Sequence, residues 1–137
     1  ATKTLTAARR APRGDVPHER HIMKKYVGVR TADGCTVTVD GEPLDPCLEL
    51  RNHSPDGFNW GYGGSGPAQL ALALMVSAIV NHGMAEAWYQ EFKWAKIATL
   101  TEDRFEMTSE DIIDWMIDET QRMLTEEAGK RQSHLIV

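Results

Sequence analysis

Apolar and polar residues alternate from Tyr26 and predict a strand to Thr31, with Val27 and Val29 on one face. Cys35, Val37 and Val39 alternate with Thr36, Thr38 and Asp40, which predicts a second strand of period two. Asp33-Gly34 between them suits a tight turn needing positive φ. Asp40-Gly41 marks another turn and leads to a short third strand near Glu42–Leu44. Pro43 and Pro46 keep that segment irregular or at a sheet edge. Leu48 and Leu50 precede a long loop, Arg51 to Gly66, which also carries Phe58, Trp60 and Tyr62.

A helix is predicted from Pro67 to Val80. Gly66 would be its N-cap and Pro67 its first residue, where a missing N–H costs nothing. Gln69 would then stand third, the place of a capping-box side chain. Only Gln69 and Ser77 are polar between Ala68 and Val80, and a helix apolar on every side is a buried one. Asn81-His82-Gly83 stops it, with Gly83 able to take the left-handed C-terminal conformation. Ala85, Trp88, Tyr89 and Phe92 predict a second, shorter helix. Trp94, Ala98 and Leu100 set against Ala95, Ile97 and Thr99 read as a strand, and Glu102-Asp103 turns the chain. Thr108, with Asp111 three residues later, opens a final helix to about Glu127. Its apolar face is Ile112, Ile113, Met116, Met123 and Leu124, and Gly129 ends it.

These elements predict an α+β fold: a small antiparallel sheet packed around a central buried helix, with a C-terminal amphipathic helix. Residues 1–25 form a flexible basic arm, and 26–137 a single small globular domain.

Charge sharpens that division. Residues 1–25 hold seven of the 15 basic groups and only Asp15 and Glu19 as acids, so the segment is +5. The rest carries eight basic and 18 acidic groups, so a net charge of −5 conceals a basic arm on an acidic body. The arm's Pro12, Gly14 and Pro17 and its lack of an apolar period favour disorder. The functional alternative is contact with nucleic acid or another acidic partner through Arg9, Arg10 and Arg13. A third is that the arm folds back on its own body. The longest apolar stretch, Leu70 to Val80, is about half of the ~20 residues a membrane-spanning helix needs, so no membrane contact is expected. The N-terminus lacks an apolar signal region, and two cysteines make no disulfide framework, so a cytoplasmic setting is expected.

Five of the 11 glycines lie between Gly57 and Gly66. Gly61, Gly63 and Gly66 satisfy G-x-G-x-x-G, and Glu86 lies 20 residues further on. A dinucleotide site needs an apolar strand leading into the glycines and an acid ending a second strand. Here Asn52 to Trp60 is a polar and aromatic loop, and Glu86 falls in a helix. A phosphate-binding P-loop fails too, because Pro67-Ala68 stand where Lys and Ser or Thr are required. Gly63-Gly64-Ser65-Gly66-Pro67 departs from G-x-S-x-G at its last position, although His53 and Asp56 could complete a triad with Ser65. The structural reading is that the glycines let Trp60 and Tyr62 pack against the start of the core helix. The functional reading is an anion or small-ligand surface made by Gly61, Gly63, Gly64, Ser65 and Gly66 with Trp60, Tyr62 and His53. His18 and His21 have no third ligand near them, and Cys35 and Cys47 form no C-x-x-C pair, so neither metal nor cofactor is expected.

Three runs resemble a known family: Tyr26-Val27-Gly28-Val29-Arg30, Val39 to Pro46, and above all Arg51-Asn52-His53-Ser54-Pro55-Asp56-Gly57-Phe58-Asn59-Trp60-Gly61-Tyr62-Gly63-Gly64-Ser65-Gly66-Pro67 running on to Leu74. They are similar to a family of short bacterial proteins of unknown function, encoded in genomes, plasmids and phages. The resemblance covers roughly Tyr26 to Trp115 and implies a common small domain. It carries over no catalytic residue. A mobile-element setting implies roles in host–element conflict, including inhibition of defence proteins.

No complete catalytic set emerges, so a non-catalytic interaction domain is the leading reading. Asp111, Asp114 and Asp118, with Glu110 beside them, recur at spacings of three and four and would share one helix face. Such a stripe suits a basic protein partner, against the plainer alternative of a solvated helix face. The competing class is a small-ligand, anion or enzyme site at Gly61–Gly66.

Overall fold

The structure, a computed structural model, describes residues 23–136, with side chains as far as Lys130. The arm's Arg9, Arg10 and Arg13, and His18 and His21, lie outside the described residues. The fold is α+β, with a four-stranded antiparallel sheet and three α-helices. Strand β1 is Lys25–Thr31, β2 Gly34–Val39, β3 Glu42–Pro43 and β4 Arg104–Thr108. Their order in the sheet is β3-β2-β1-β4.

The two Asp-Gly turns behave differently. Asp40 (φ 50°) and Gly41 (φ 87°) are both left-handed and join β2 to β3, as a two-residue hairpin of right-handed twist requires. At Asp33-Gly34 only the glycine has positive φ, at 123°. Strand β1 is central and pairs from Tyr26↔Val39 to Thr31↔Gly34 on one side and from Lys25↔Thr108 to Val29↔Arg104 on the other. This register puts Tyr26, Gly28, Val37, Phe105 and Met107 on the core face, and all five are buried. Val27 and Val29 take the opposite, half-buried face. The Phe105 ring lies over Gly28 so closely that a Cβ there would sit 2.1 Å from Cε2.

Helix α1 spans Ser65–Ala78, and Gly66 through Met75 are all buried, so it is the core helix the composition predicts. Its start differs: Gly64 is the N-cap, its carbonyl accepts from Ala68 N at 3.1 Å, and Pro67 is the third helical residue. Proline is still accommodated there, because first-turn N–H groups have no intrahelical partner. The helix also ends before Val80, which is 95 % exposed.

Helix α2 is His82–Phe92. Asn81 is not a stop for α1 but the N-cap of α2, its Oδ1 accepting from Met84 N at 3.0 Å, and Gly83 lies within the new first turn. The expected strand at Trp94–Leu100 is instead a π-helical turn, Lys93–Ile97, closed by Ala98 N donating to the Lys93 carbonyl at 2.8 Å. The wider turn keeps Phe92, Lys93 and Ile97 buried and leaves Trp94 outside. Alanine and lysine at four of the seven positions 93–99 favour helix over strand.

Helix α3 spans Ser109–Ile136. Thr108 and Asp111 form the reciprocal capping box: Thr108 N donates to Asp111 Oδ2 at 2.9 Å, and Asp111 N to Thr108 Oγ1 at 3.1 Å. Ile112 and Met116 enter the core, whereas every side chain from Gln121 to Lys130 is exposed. Met123 and Leu124 are therefore not on a buried face, because the body offers that half of the helix nothing to pack against. The helix passes through Gly129 rather than ending there, and one interior glycine costs only about 1 kcal/mol. Among the described residues no helix is long and apolar enough to cross a membrane.

Candidate functional site

The glycine loop is built into the core at several points. Trp60 is 1 % exposed. Its Nε1 donates to the Glu102 carbonyl at 2.8 Å, and its ring meets Phe105 edge-on at 4.9 Å. The Arg30 guanidinium lies 5.0 Å from the ring centroid and donates to Asn59 Oδ1 and the Trp60 carbonyl. Trp60 is thus unavailable to a ligand. Tyr62, in contrast, is half exposed.

The glycines serve close approach more than unusual φ. Only Gly57 and Gly61 have positive φ in this loop, and a Cβ on Gly61 would reach within 2.9 Å of the Leu100 carbonyl. A Cβ on Gly63 would meet the Trp94 ring at 2.1 Å, one on Gly64 the Tyr62 ring at 2.5 Å, and one on Gly66 the Asn59 Cβ at 2.8 Å. The G-x-G-x-x-G spacing is accounted for by these neighbours, with no pyrophosphate needed.

Ser65 is the exposed first residue of α1. His53 Nε2 and Tyr89 Oη are hydrogen-bonded at 2.7 Å. Among the described residues no hydrogen bond joins Ser65 to His53 or Asp56, so the elements of a triad stay apart. Gly63→Val should lower stability by no more than about 1 kcal/mol, below the usual cost of core overpacking, because the exposed Trp94 ring it meets can swing aside. Ser65→Ala should stay within about 0.5 kcal/mol of the parent. Chemical denaturation checks both. Labelling by a fluorophosphonate that disappears in Ser65→Ala would contradict the structural role of this loop.

Gln69 is the residue whose role the sequence concealed. It is the fifth residue of α1, not a capping-box residue, and is 0 % exposed. Its Oε1 accepts from His53 N at 2.7 Å and Ser54 N at 3.1 Å. Its Nε2 donates to the carbonyls of Pro46 at 2.5 Å and Arg51 at 2.9 Å. One amide side chain thereby fixes the whole loop from Pro46 to Ser54 onto the core helix.

The thiols are quiet. Cys47, not Cys35, is the buried one. Burial first, then the carboxylates of Asp45 and Glu49, push the Cys47 thiol up to about 11, so it stays protonated at neutral pH. Asp45, Cys47 and Glu49 bring ligand-type atoms within 4.8 Å of one another, yet Asp45 Oδ1 already accepts from Cys47 N at 2.9 Å. This arrangement explains the turn around Cys47 (φ 59°) and gives no further sign of a ligand.

Glu110, Asp111, Asp114 and Asp118 of α3 are all exposed, but they do not act as one stripe. Asp111, Asp114 and Asp118 border a cleft with Lys96, Glu106 and Trp115, and Asp111 is occupied by the cap. Glu110 and Asp114 border a larger groove of about 740 Å³ on the other side. Its apolar wall comes from Ile79, Val80 and Met84, at the junction of α1 and α2, and from Ile113 and Ile117 of α3. Lys24 also lines it: its Nζ donates to the Ser77 carbonyl at 2.7 Å, and its backbone N donates to Ser109 Oγ at 2.9 Å. Exposures of 37 % for Ile113, 41 % for Met84 and 49 % for Ile117 leave an apolar strip along the groove facing solvent.

Residues 26–118 match a family model described as "Family of unknown function (DUF6166)". No curated protein and no solved structure matches the chain.

Proposed function

As the chain belongs to this family of unknown function, DUF6166, which spans more than half of it, we propose a role read from its own surface: a non-catalytic interaction domain whose groove between the α1–α2 junction and α3 receives a basic amphipathic segment of a protein partner. One observation carries the reading. Val80, Met84, Ile113 and Ile117 stay exposed side by side, and Glu110 and Asp114 stand on the rim. Apolar side chains of a partner would bury against the strip, and its Lys or Arg groups would pair with the rim, the arrangement of helix-in-groove recognition. A mobile-element origin, which the resemblance of the loop-to-helix run implies, would make a basic, cytoplasmic defence protein a fitting partner. The anion-site alternative at Gly61–Gly66 is weakened because Trp60 and His53 are both engaged within the fold.

A fluorescent peptide helix with Leu on one face and Lys on the other tests this by anisotropy. The peptide should bind the chain. Glu110→Lys combined with Asp114→Lys should weaken binding at least about tenfold, as loss of paired charges does. Ile117→Glu should abolish it, and Glu126→Lys, further along α3, should leave it unchanged. Equal binding by all four proteins would overturn the proposal.

A further inference from the structure

The segment that precedes the described structure enters it at the groove. Lys24 lines the groove, and its backbone is held to Ser109 in both directions, N to Oγ at 2.9 Å and the Lys24 carbonyl from Ser109 N at 2.9 Å. Residues 1–22 precede this point in the sequence. Their sequence carries Lys3, Arg9, Arg10, Arg13 and Arg20 against Asp15 and Glu19. The groove presents the opposite sign, Glu110 and Asp114.

Distances allow the two to meet. Asp114 lies five residues beyond Ser109, which is about 7.5 Å along a helix rising 1.5 Å per residue. Arg20 lies four residues before Lys24, and an extended chain of that length reaches about 13 Å. Arg20 can thus reach Glu110 and Asp114, and the segment offers Ile22 and Val16 as apolar side chains for the strip. We propose that the chain's own basic segment, residues 1–22, occupies the groove between the α1–α2 junction and α3 and competes there with the external partner. This rests on the reading of the groove as a docking site. Tethering raises the local concentration of the segment, so modest affinity suffices for high occupancy.

Two measurements on the full chain test the proposal. In the first, a photo-reactive benzoylphenylalanine replaces the exposed Ile117, and cross-linked peptides are mapped in a mixture of isotopically light and heavy chains. Cross-links from position 117 to residues 1–22 of the same chain are expected. Cross-links joining light to heavy chains, or none to residues 1–22, would overturn the proposal. In the second, the Leu/Lys peptide is titrated against the parent and against the quadruple variant Arg9→Gln, Arg10→Gln, Arg13→Gln, Arg20→Gln. If the segment fills the groove nine-tenths of the time, the variant should bind the peptide about tenfold more tightly. Equal, measurable affinity for both would overturn self-docking and leave the groove as a docking site. Peptide binding to neither protein, with the intrachain cross-link present, would instead sink the external-partner reading.

Discussion

Gln69→Leu should destabilise the protein by about 3 kcal/mol or more, since each buried group left without a partner costs about 1–3 kcal/mol. Leucine fits the same volume but satisfies none of the four loop groups that Gln69 serves. The N–H groups of His53 and Ser54 would lose their acceptor, and the carbonyls of Pro46 and Arg51 their donor. Those groups lie beneath a loop of only partial exposure, so water can replace some bonds at the expense of moving the loop off α1. Gln69→Glu should be nearly as harmful, because its carboxylate would face the carbonyls of Pro46 and Arg51 with no proton to offer. Amide exchange gives the sharper readout: His53 and Ser54 should lose protection while Val37 and Phe105 in the sheet keep theirs. An unfolding free energy within about 0.5 kcal/mol of the parent would contradict the assignment of Gln69 as the loop's anchor.

Local chemistry was legible in the sequence wherever the partner of a residue lies a few positions away. The Asp40-Gly41 hairpin, the Thr108–Asp111 capping box and the burial of Leu70 to Met75 all follow from neighbours in sequence. What was not legible depends on distant partners. Strand β4 alternates clearly, with Phe105 and Met107 inward, but it is five residues long and its partner β1 lies about eighty residues earlier. Gly28 looks unremarkable until Phe105 is laid across it. The glycine loop has the spacing of a nucleotide site because Leu100, Trp94 and Asn59 need the same absence of Cβ atoms that a phosphate would. The groove is assembled from Lys24, the α1–α2 junction and the first turns of α3, three segments that no local pattern connects. The acidic spacing on α3 could not separate Glu110, on the groove, from Asp111, which holds the helix cap.

Trp60 shows how a ligand role and a structural role are told apart by experiment. Trp60→Ala should cost about 3–5 kcal/mol, the range for removing a buried aromatic side chain. The indole is 1 % exposed, stands edge-on to Phe105 and sits under the Arg30 guanidinium. Removing it would open a cavity between the loop and the β1–β4 pair and also uncover Arg30. Trp60→Phe should be milder: it keeps a ring against Phe105 but leaves the Glu102 carbonyl without the Nε1 donor, a loss of about 1–3 kcal/mol. Trp60 packs beside Arg30, near one end of β1, whereas the groove lies beside Lys24 at the other. Those ends are about 20 Å apart at 3.3 Å per strand residue. Trp60→Phe should therefore lower the denaturation midpoint and leave the affinity of the Leu/Lys peptide unchanged. A fall in peptide affinity with no fall in midpoint would place Trp60 in a binding site and contradict its role as a core residue.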